Sequence, residues 1–180
     1  MLDPNHGVPQ TILVHSGVAG RRISVSLMIE QALDLLNPQK DETILDLFCG
    51  LGNFTLPIAK RAKTVIAVEG DASMLKRADE NAKSLGFDNI EFKVANLFEP
   101  FEAKADKMLL DPPRVGAEMI CRNIEKFKPK IIVYVSCDPA TLVRDLAILV
   151  NEKGYHLKKI GVMDMFPHTS HVESMALLIK

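Results

Sequence analysis

Residues 42–54, ETILDLFCGLGNF, decide the fold. Ile44, Leu45, Leu47 and Phe48 form a short, nearly continuous apolar run, the pattern of a strand buried on both faces of a parallel sheet. Asp46 interrupts the run near its carboxyl end. Gly50 and Gly52 then permit a tight turn where a ligand approaches the backbone without meeting a Cβ. Asn53 or Thr55 is positioned to cap the helix that follows. A nucleotide-like ligand at that edge would face free helix N–H groups and a closely approaching loop. Strand, glycine turn and helix also occur as a plain connection, so the neighbouring segments must decide between the two readings.

Downstream, residues 64–69 (TVIAVE) read as a second buried strand ending in Glu69, about twenty residues beyond the glycine turn. One crossover helix and one parallel strand bring that carboxylate beside the glycine loop, where it can accept both hydroxyl protons of a ribose. Residues 71–85 are amphipathic and stop at Gly86, a C-terminal cap. Residues 90–94 alternate like a more exposed third strand. Asn96 follows, placed either to read an adenine edge or to cap the next turn. Residues 107–110 form a short fourth strand leading into Asp111-Pro112-Pro113-Arg114. The two prolines hold the backbone extended and remove two donors, which fixes Asp111 at the carboxyl edge of the sheet. A helix is expected over 119–127, with Cys121 packed on it.

Residues 131–135 (IIVYV) are the fifth strand, followed by Ser136-Cys137-Asp138-Pro139 and a helix over 140–151. Cys137 therefore shares the sheet edge with Gly50, Glu69 and Asp111, next to a helix N-terminus whose dipole favours a thiolate, and it is the candidate nucleophile. Cys49 is expected to pack behind the glycine loop. Residues 155–165 and 172–180 read as two late strands joined by 166–171 (FPHTSH); with no helix between them they pair as an antiparallel hairpin. His168 and His171 have no further ligand cluster, so no metal site is expected. Upstream, apolar residues at near-helical spacing from Ser24 end at Asn37-Pro38. Residues 1–23 read as a poorly ordered N-terminal arm or truncation end, and 24–180 as one domain.

Bulk properties agree with an α/β domain of 180 residues. Hydrophobic residues make up 47% and charged residues 25%, and no apolar run approaches the ~20 residues of a membrane span. Residues 1–10 lack the basic start and apolar middle of a signal peptide. Three scattered cysteines fit a reduced cytoplasmic setting rather than a disulfide framework. With a net charge of -1, nucleic-acid contact would have to come from local patches of Lys and Arg.

Five motifs carry a family resemblance. DLFCGLGN (46–53), Val68-Glu69, DPPR (111–114), VYVSCDP (133–139) with Ala140-Thr141 and Arg144-Asp145, and MDMFPHTSHVE (163–173) together resemble the RNA 5-methyluridine methyltransferases, most nearly the 23S ribosomal RNA uracil-5 enzymes. The resemblance covers residues 27–180. It implies a class I S-adenosylmethionine-dependent methyltransferase fold, Rossmann-like, with a seven-stranded mixed sheet and an antiparallel C-terminal hairpin. It also implies methyl transfer to C5 of a uridine in RNA, ribosomal or transfer, with S-adenosyl-L-methionine as cofactor. By position, Phe48, Gly50 and Asn53 match the loop holding the methionine part of that cofactor. Glu69 matches the ribose ligand, Asn96 the adenine-side contact and Asp111 the acid between cofactor and base. Cys137 matches the family nucleophile and Glu173 its general base.

Departures from the pattern set the rivals. The family's aromatic-x-Gln-x-Asn segment is replaced by GRRISV at 20–25. Neither an oligonucleotide-binding barrel nor a four-cysteine iron-sulfur site fits before residue 24, so the chain resembles an isolated catalytic domain. One rival is therefore a noncatalytic remnant or RNA-binding partner. A second, an RNA cytosine-5 methyltransferase, would carry another Cys after the Pro-Pro pair, where this chain has Arg114. A NAD-binding domain is disfavoured because DLFCGLGN lacks the Gly-x-Gly-x-x-Gly spacing.

Overall fold

Buried apolar runs separated by amphipathic helices build a single mixed sheet in the computed structural model, which describes residues 12–15, 25–99, 101–164 and 172–180. In chain order the elements are β1 (Ile12–His15), α1 (Val25–Leu36), β2 (Thr43–Leu47), α2 (Thr55–Ala59), β3 (Thr64–Glu69), α3 (Ala72–Ser84), β4 (Ile90–Val94), β5 (Lys107–Leu110), α4 (Glu118–Arg122), β6 (Ile131–Ser136), α5 (Pro139–Ala147), β7 (His156–Asp164) and β8 (Val172–Ile179). The sheet order is β1-β7-β8-β6-β5-β2-β3-β4. Only β8 runs antiparallel, to β6 on one side and β7 on the other.

Seven of these strands are the expected ones. The eighth is β1, within residues 1–23, the stretch read from sequence as an arm without periodicity. Ile12–His15 pairs in parallel with Ile160–Met163 of β7. Three apolar residues and a histidine are too few to show a period, but the outer edge of β7 presents unpaired backbone groups that such a segment can satisfy.

Side-chain alternation along the central strands sorts the core into two layers. Ile44, Val65, Leu109 and Val133 face α1 and α2 through Leu33, Leu36 and Ile58. Leu45, Leu47, Met108, Leu110 and Tyr134 face α4 and α5 through Ile120, Leu142 and Leu146. Ile44, Leu45 and Leu47 are fully buried, each gaining ~1.5–3 kcal/mol over an exposed side chain.

Helix ends follow local chemistry. Asp71 caps α3, its Oδ1 accepting from the Ser73 and Met74 N–H groups at 2.8 and 3.2 Å, and Gly86 (φ 78°) releases the chain. The helix expected over 119–127 breaks in two. Asn123 turns its amide back to donate to the Met119 carbonyl at 2.9 Å, competing with the backbone ladder, and Ile124–Lys126 continues as a 3₁₀ turn. The helix expected over 140–151 is regular only to Ala147; Ile148–Glu152 widens into a π turn in which Lys153 N–H donates to the Ile148 carbonyl.

The order reverses at β2, which has β3 on one side and β5 on the other. At such a switch point the connections diverge and leave a crevice beyond the carboxyl ends of the strands.

Candidate active site

The crevice is a cleft of about 320 Å³ lined by Phe48, Gly50, Glu69, Gly70, Met74, Asn96, Leu97, Phe98, Asp111 and Pro113. The ends of β2, β3, β4 and β5 each contribute a wall. Phe48 adopts φ 63° and Gly50 φ 54°; a left-handed phenylalanine is strained, and strain of this kind is retained where the surrounding structure fixes a loop for a purpose. Gly50 N–H donates to Glu69 Oε2 at 3.0 Å, and the N–H groups of Gly70 and Asp71 donate to Oε1 at 2.8 and 3.1 Å. Three backbone donors therefore hold the Glu69 carboxylate against the glycine loop; Oε1 accepts two of them and Oε2 one, which leaves a lone pair on Oε2 for a further donor.

Not every residue singled out from the sequence lines this cleft. Asn53 is exposed and lies outside its lining. Neither Asn53 nor Thr55 caps α2, whose N-cap is Phe54 with no side-chain cap. Thr55 instead donates its hydroxyl to Asp46 Oδ2 at 2.5 Å, because the alternation that puts Leu45 and Leu47 on one face turns Asp46 under α2. Asn96 reaches the cleft wall while its amide caps the turn: Oδ1 accepts from Phe98 N–H at 3.0 Å and Nδ2 donates to Glu99 at 2.7 Å.

A second group of side chains sits on the same rim. The antiparallel register of β6 and β8 pairs Ser136 with Ser174; continued by one residue, it sets Cys137 opposite Glu173. The electrostatics agree with that placement. Burial pushes the half-buried Cys137 thiol up, Glu173 and Asp111 add to the rise, and its own backbone N–H and Arg114 oppose it. The thiolate expected from the helix dipole is thus not favoured. Asp138 caps α5, its Oδ1 accepting from Ala140 and Thr141 N–H at 3.0 Å each, so the helix's free N–H groups serve that carboxylate rather than the sulfur.

Asp111 is pushed up to about 7 by burial and then by Glu173. Asp46, fully buried, is also raised to about 7, chiefly by burial, with Asp111 and Glu69 adding to it and the Thr55 hydroxyl opposing it. Among the described residues, Asp46 Oδ1 is the buried side-chain oxygen without a hydrogen-bond partner. The other two thiols are structural. Cys49 packs with Ala67 and Leu75 behind the glycine loop, and Cys121 lies in the α4–α5 core layer; burial raises both. No group of three His, Cys, Asp or Glu side chains able to hold a metal occurs among the described residues; His168 and His171 lie outside them.

Sequence reasoning did not single out Gly70, Met74, Leu97, Phe98 or Pro113 as cleft residues. Phe98 is half exposed and its ring lies 6.1 Å from that of Phe48, an apolar mouth suited to a planar ring. Its signal in the sequence, an exposed aromatic after a strand end, is visible only once the strand order is known.

Strand order, glycine turn and cleft define the class I methyltransferase fold. The dimethyladenosine transferase of Plasmodium falciparum, at 18% identity, superposes on 88% of this chain and 63% of its own with a TM-score of 0.70. The Pyrococcus abyssi tRNA (uracil-54, C5)-methyltransferase, solved in complex with S-adenosyl-L-homocysteine, gives a TM-score of 0.74 at 34% identity over 85% of this chain and 37% of that one. The family model described as tRNA (uracil-5-)-methyltransferase matches residues 22–180, and the chain belongs to that family. Two curated relatives are named 23S rRNA (uracil(1939)-C(5))-methyltransferase RlmD. That of Francisella tularensis subsp. holarctica is 59% identical over 160 residues, and that of Hahella chejuensis 56% over 163. Each alignment covers 85% of this chain and 36% of the relative, so the chain spans about a third of their length.

Proposed function

We propose that this chain is an RNA uracil-C5 methyltransferase, transferring a methyl group from S-adenosylmethionine to C5 of a uridine, with 23S ribosomal RNA as the substrate indicated by its relatives. The observation carrying the proposal is the β6–β8 register, which brings Cys137 and Glu173 together beside a nucleotide-sized cleft.

The cleft residues fit the cofactor. Glu69, oriented by three N–H groups, keeps an acceptor site on Oε2 for a ribose hydroxyl; Leu97, Phe98 and Pro113 offer apolar surface to the adenine, with Asn96 beside it. Phe48, Gly50 and, at the outer end of the loop, Asn53 take the methionine part. Asp46, Glu69 and Asp111 crowd negative charge at this edge, which a sulfonium cation relieves. Bound there, S-adenosylmethionine supplies an electrophilic methyl group.

Uracil C5 is too weak a nucleophile to accept that methyl group directly. Cys137, as thiolate, adds to C6 and moves an electron pair onto C5. Arg114 is the charged side chain that favours the thiolate. Asp111, at the junction of cleft and thiol, holds base and cofactor in register for attack by C5. Glu173 then removes the C5 proton, and elimination frees the cysteine. The base must leave its stack to meet the thiol, so single strands, loops or a flipped nucleotide are the expected targets. Among the described residues no helix is long and apolar enough to cross a membrane, and three free cysteines suit the reducing cytoplasm.

The test is transfer of a labelled methyl group to uridine-containing RNA, followed by nucleoside digestion. The expected product is 5-methyluridine. Label in 5-methylcytidine would select the cytosine enzyme, and cofactor binding without transfer would select the noncatalytic scaffold.

A further inference from the structure

The loop 111–117 carries Asp111 and Arg114, two of the groups whose charge acts on the Cys137 thiol. Its backbone is held from the segments on either side of that cysteine. Thr141 Oγ1 donates to the Arg114 carbonyl at 3.0 Å, and Arg144 Nη2 donates to the Val115 carbonyl at 2.9 Å. Ala117 N–H donates to Asp145 Oδ2 at 2.7 Å and lies 3.1 Å from the Tyr134 hydroxyl. Gly116 adopts φ 77°, and a Cβ there would stand 2.6 Å from Arg144 Nη2 and 2.7 Å from Asp145 Oδ2, so the loop reaches these groups only with glycine at that position.

The buried Asp145 carboxylate is fully satisfied. Oδ2 accepts from Tyr134 Oη at 2.6 Å and from Ala117 N–H; Oδ1 accepts from Arg144 Nε at 2.8 Å and forms an ion pair with Nη2 at 2.8 Å. Tyr134 lies three residues before Cys137, and Arg144 and Asp145 lie on the helix that starts after it. A buried, charged network is a costly way to fill space compared with apolar packing, whereas a fully satisfied one fixes a single geometry.

Resting on the methyltransferase reading above, we infer that Tyr134, Arg144 and Asp145 form a clamp locking the 111–117 loop to the segment that bears Cys137. They are positioning residues: they set Asp111 and Arg114 against the thiol and act on base addition rather than on cofactor binding. Most of the cleft, from Phe48, Gly50, Glu69, Gly70, Met74, Asn96 and Phe98, lies on other segments and is untouched by the clamp.

The experiment uses the whole chain and two readouts, the single-turnover rate of covalent adduct formation with 5-fluorouridine RNA and the dissociation constant for S-adenosylmethionine. Tyr134→Phe and Asp145→Asn preserve size, and Arg144→Lys is compared with Arg144→Gln for partial rescue. The control is Tyr155→Phe, which deletes an equivalent buried hydroxyl that donates to the Pro129 carbonyl at 2.6 Å, away from the cleft. Misplacement of reacting groups by a fraction of an ångström predicts a ~10–100-fold fall in adduct rate for Asp145→Asn and ~3–10-fold for Tyr134→Phe. Cofactor affinity should stay within about threefold, since the clamp holds one wall only, and Tyr155→Phe should leave the rate unchanged. Rates no lower than the Tyr155→Phe control, or rate and affinity falling together, overturn the clamp. Should Asp145→Asn not fold, Tyr134→Phe alone decides. If the unmodified chain forms no adduct, the methyltransferase reading fails separately. The clamp is then read from hydrogen exchange at the Ala117 amide and from the alkylation rate of Cys137, and values identical in all variants overturn it.

Discussion

The two edges of the sheet treat charge in opposite ways. At the amino edge the buried Lys107 is paired: its Nζ lies 2.9 Å from Glu42 and donates to the Asn37 carbonyl at 2.6 Å, and the half-buried Asp106 accepts from Thr43 N–H at 2.9 Å. At the carboxyl edge like charges are gathered, and Asp46 and Asp111 are raised to about 7 by burial, with neighbouring carboxylates adding to the rise. Removing one partner of a buried pair leaves a charge uncompensated, whereas crowded carboxylates are relieved when a cation binds. The amino edge therefore depends on its pairing, and the carboxyl edge is poised to receive a cation.

Changes at the two edges should separate activity from stability. The largest effect is expected for Glu173→Gln, which removes the base proposed to take the C5 proton: turnover should fall ~10²–10⁴-fold while the methylated adduct with RNA accumulates, seen as a protein–RNA band that survives denaturation. Rapid release of product by this variant would remove Glu173 from the role of base. At the opposite edge, Lys107→Ala leaves Glu42 and the Asn37 carbonyl without their cation and should cost ~3 kcal/mol in urea unfolding, with cofactor affinity unchanged. A loss of affinity equal to the loss of stability would show that the edges are not independent.

The third effect is the dependence of stability on pH. Asp46 and Asp111 hold their protons more tightly folded than unfolded, so across the window from 3.8 to about 7 the native chain binds more protons. Their contribution is fully present below the unfolded value and is lost as pH rises through the folded one, a loss on the order of 4 kcal/mol for each carboxyl. Urea unfolding at pH 5 and pH 8 should show a smaller difference for Asp46→Asn than for the unmodified chain. An equal difference in both would mean that Asp46 ionises normally in the fold.

Much of the scaffold was legible in the sequence because buried strands here are short apolar runs bounded by turn residues. Thr64–Glu69, Ile90–Val94 and Lys107–Leu110 begin and end in the structure where the pattern places them. β1 was not legible, since its pairing depends on the free edge of β7 rather than on its own four residues. At the site, Glu69, Asp111 and Cys137 were readable as polar residues ending buried strands. Gly70, Met74 and Phe98 lie on the turn after β3, on α3 and in the loop after β4, and become cleft residues only once the strand order is known; Asn53 is exposed, outside the cleft lining. The suppressed acidity of Cys137 was not legible because it comes from burial and from Glu173, brought across by the β6–β8 register, while the adjacent helix N-terminus serves Asp138; spacing alone reveals neither.

The central claim is that the thiol following β6 attacks a base held beside the cleft. Mass spectrometry of the chain incubated with S-adenosylmethionine and 5-fluorouridine RNA tests it most directly. A covalent nucleotide should map to Cys137 and be absent from Cys137→Ala, with Cys49 and Cys121 unmodified. An adduct on another residue, or one that persists in Cys137→Ala, would contradict it.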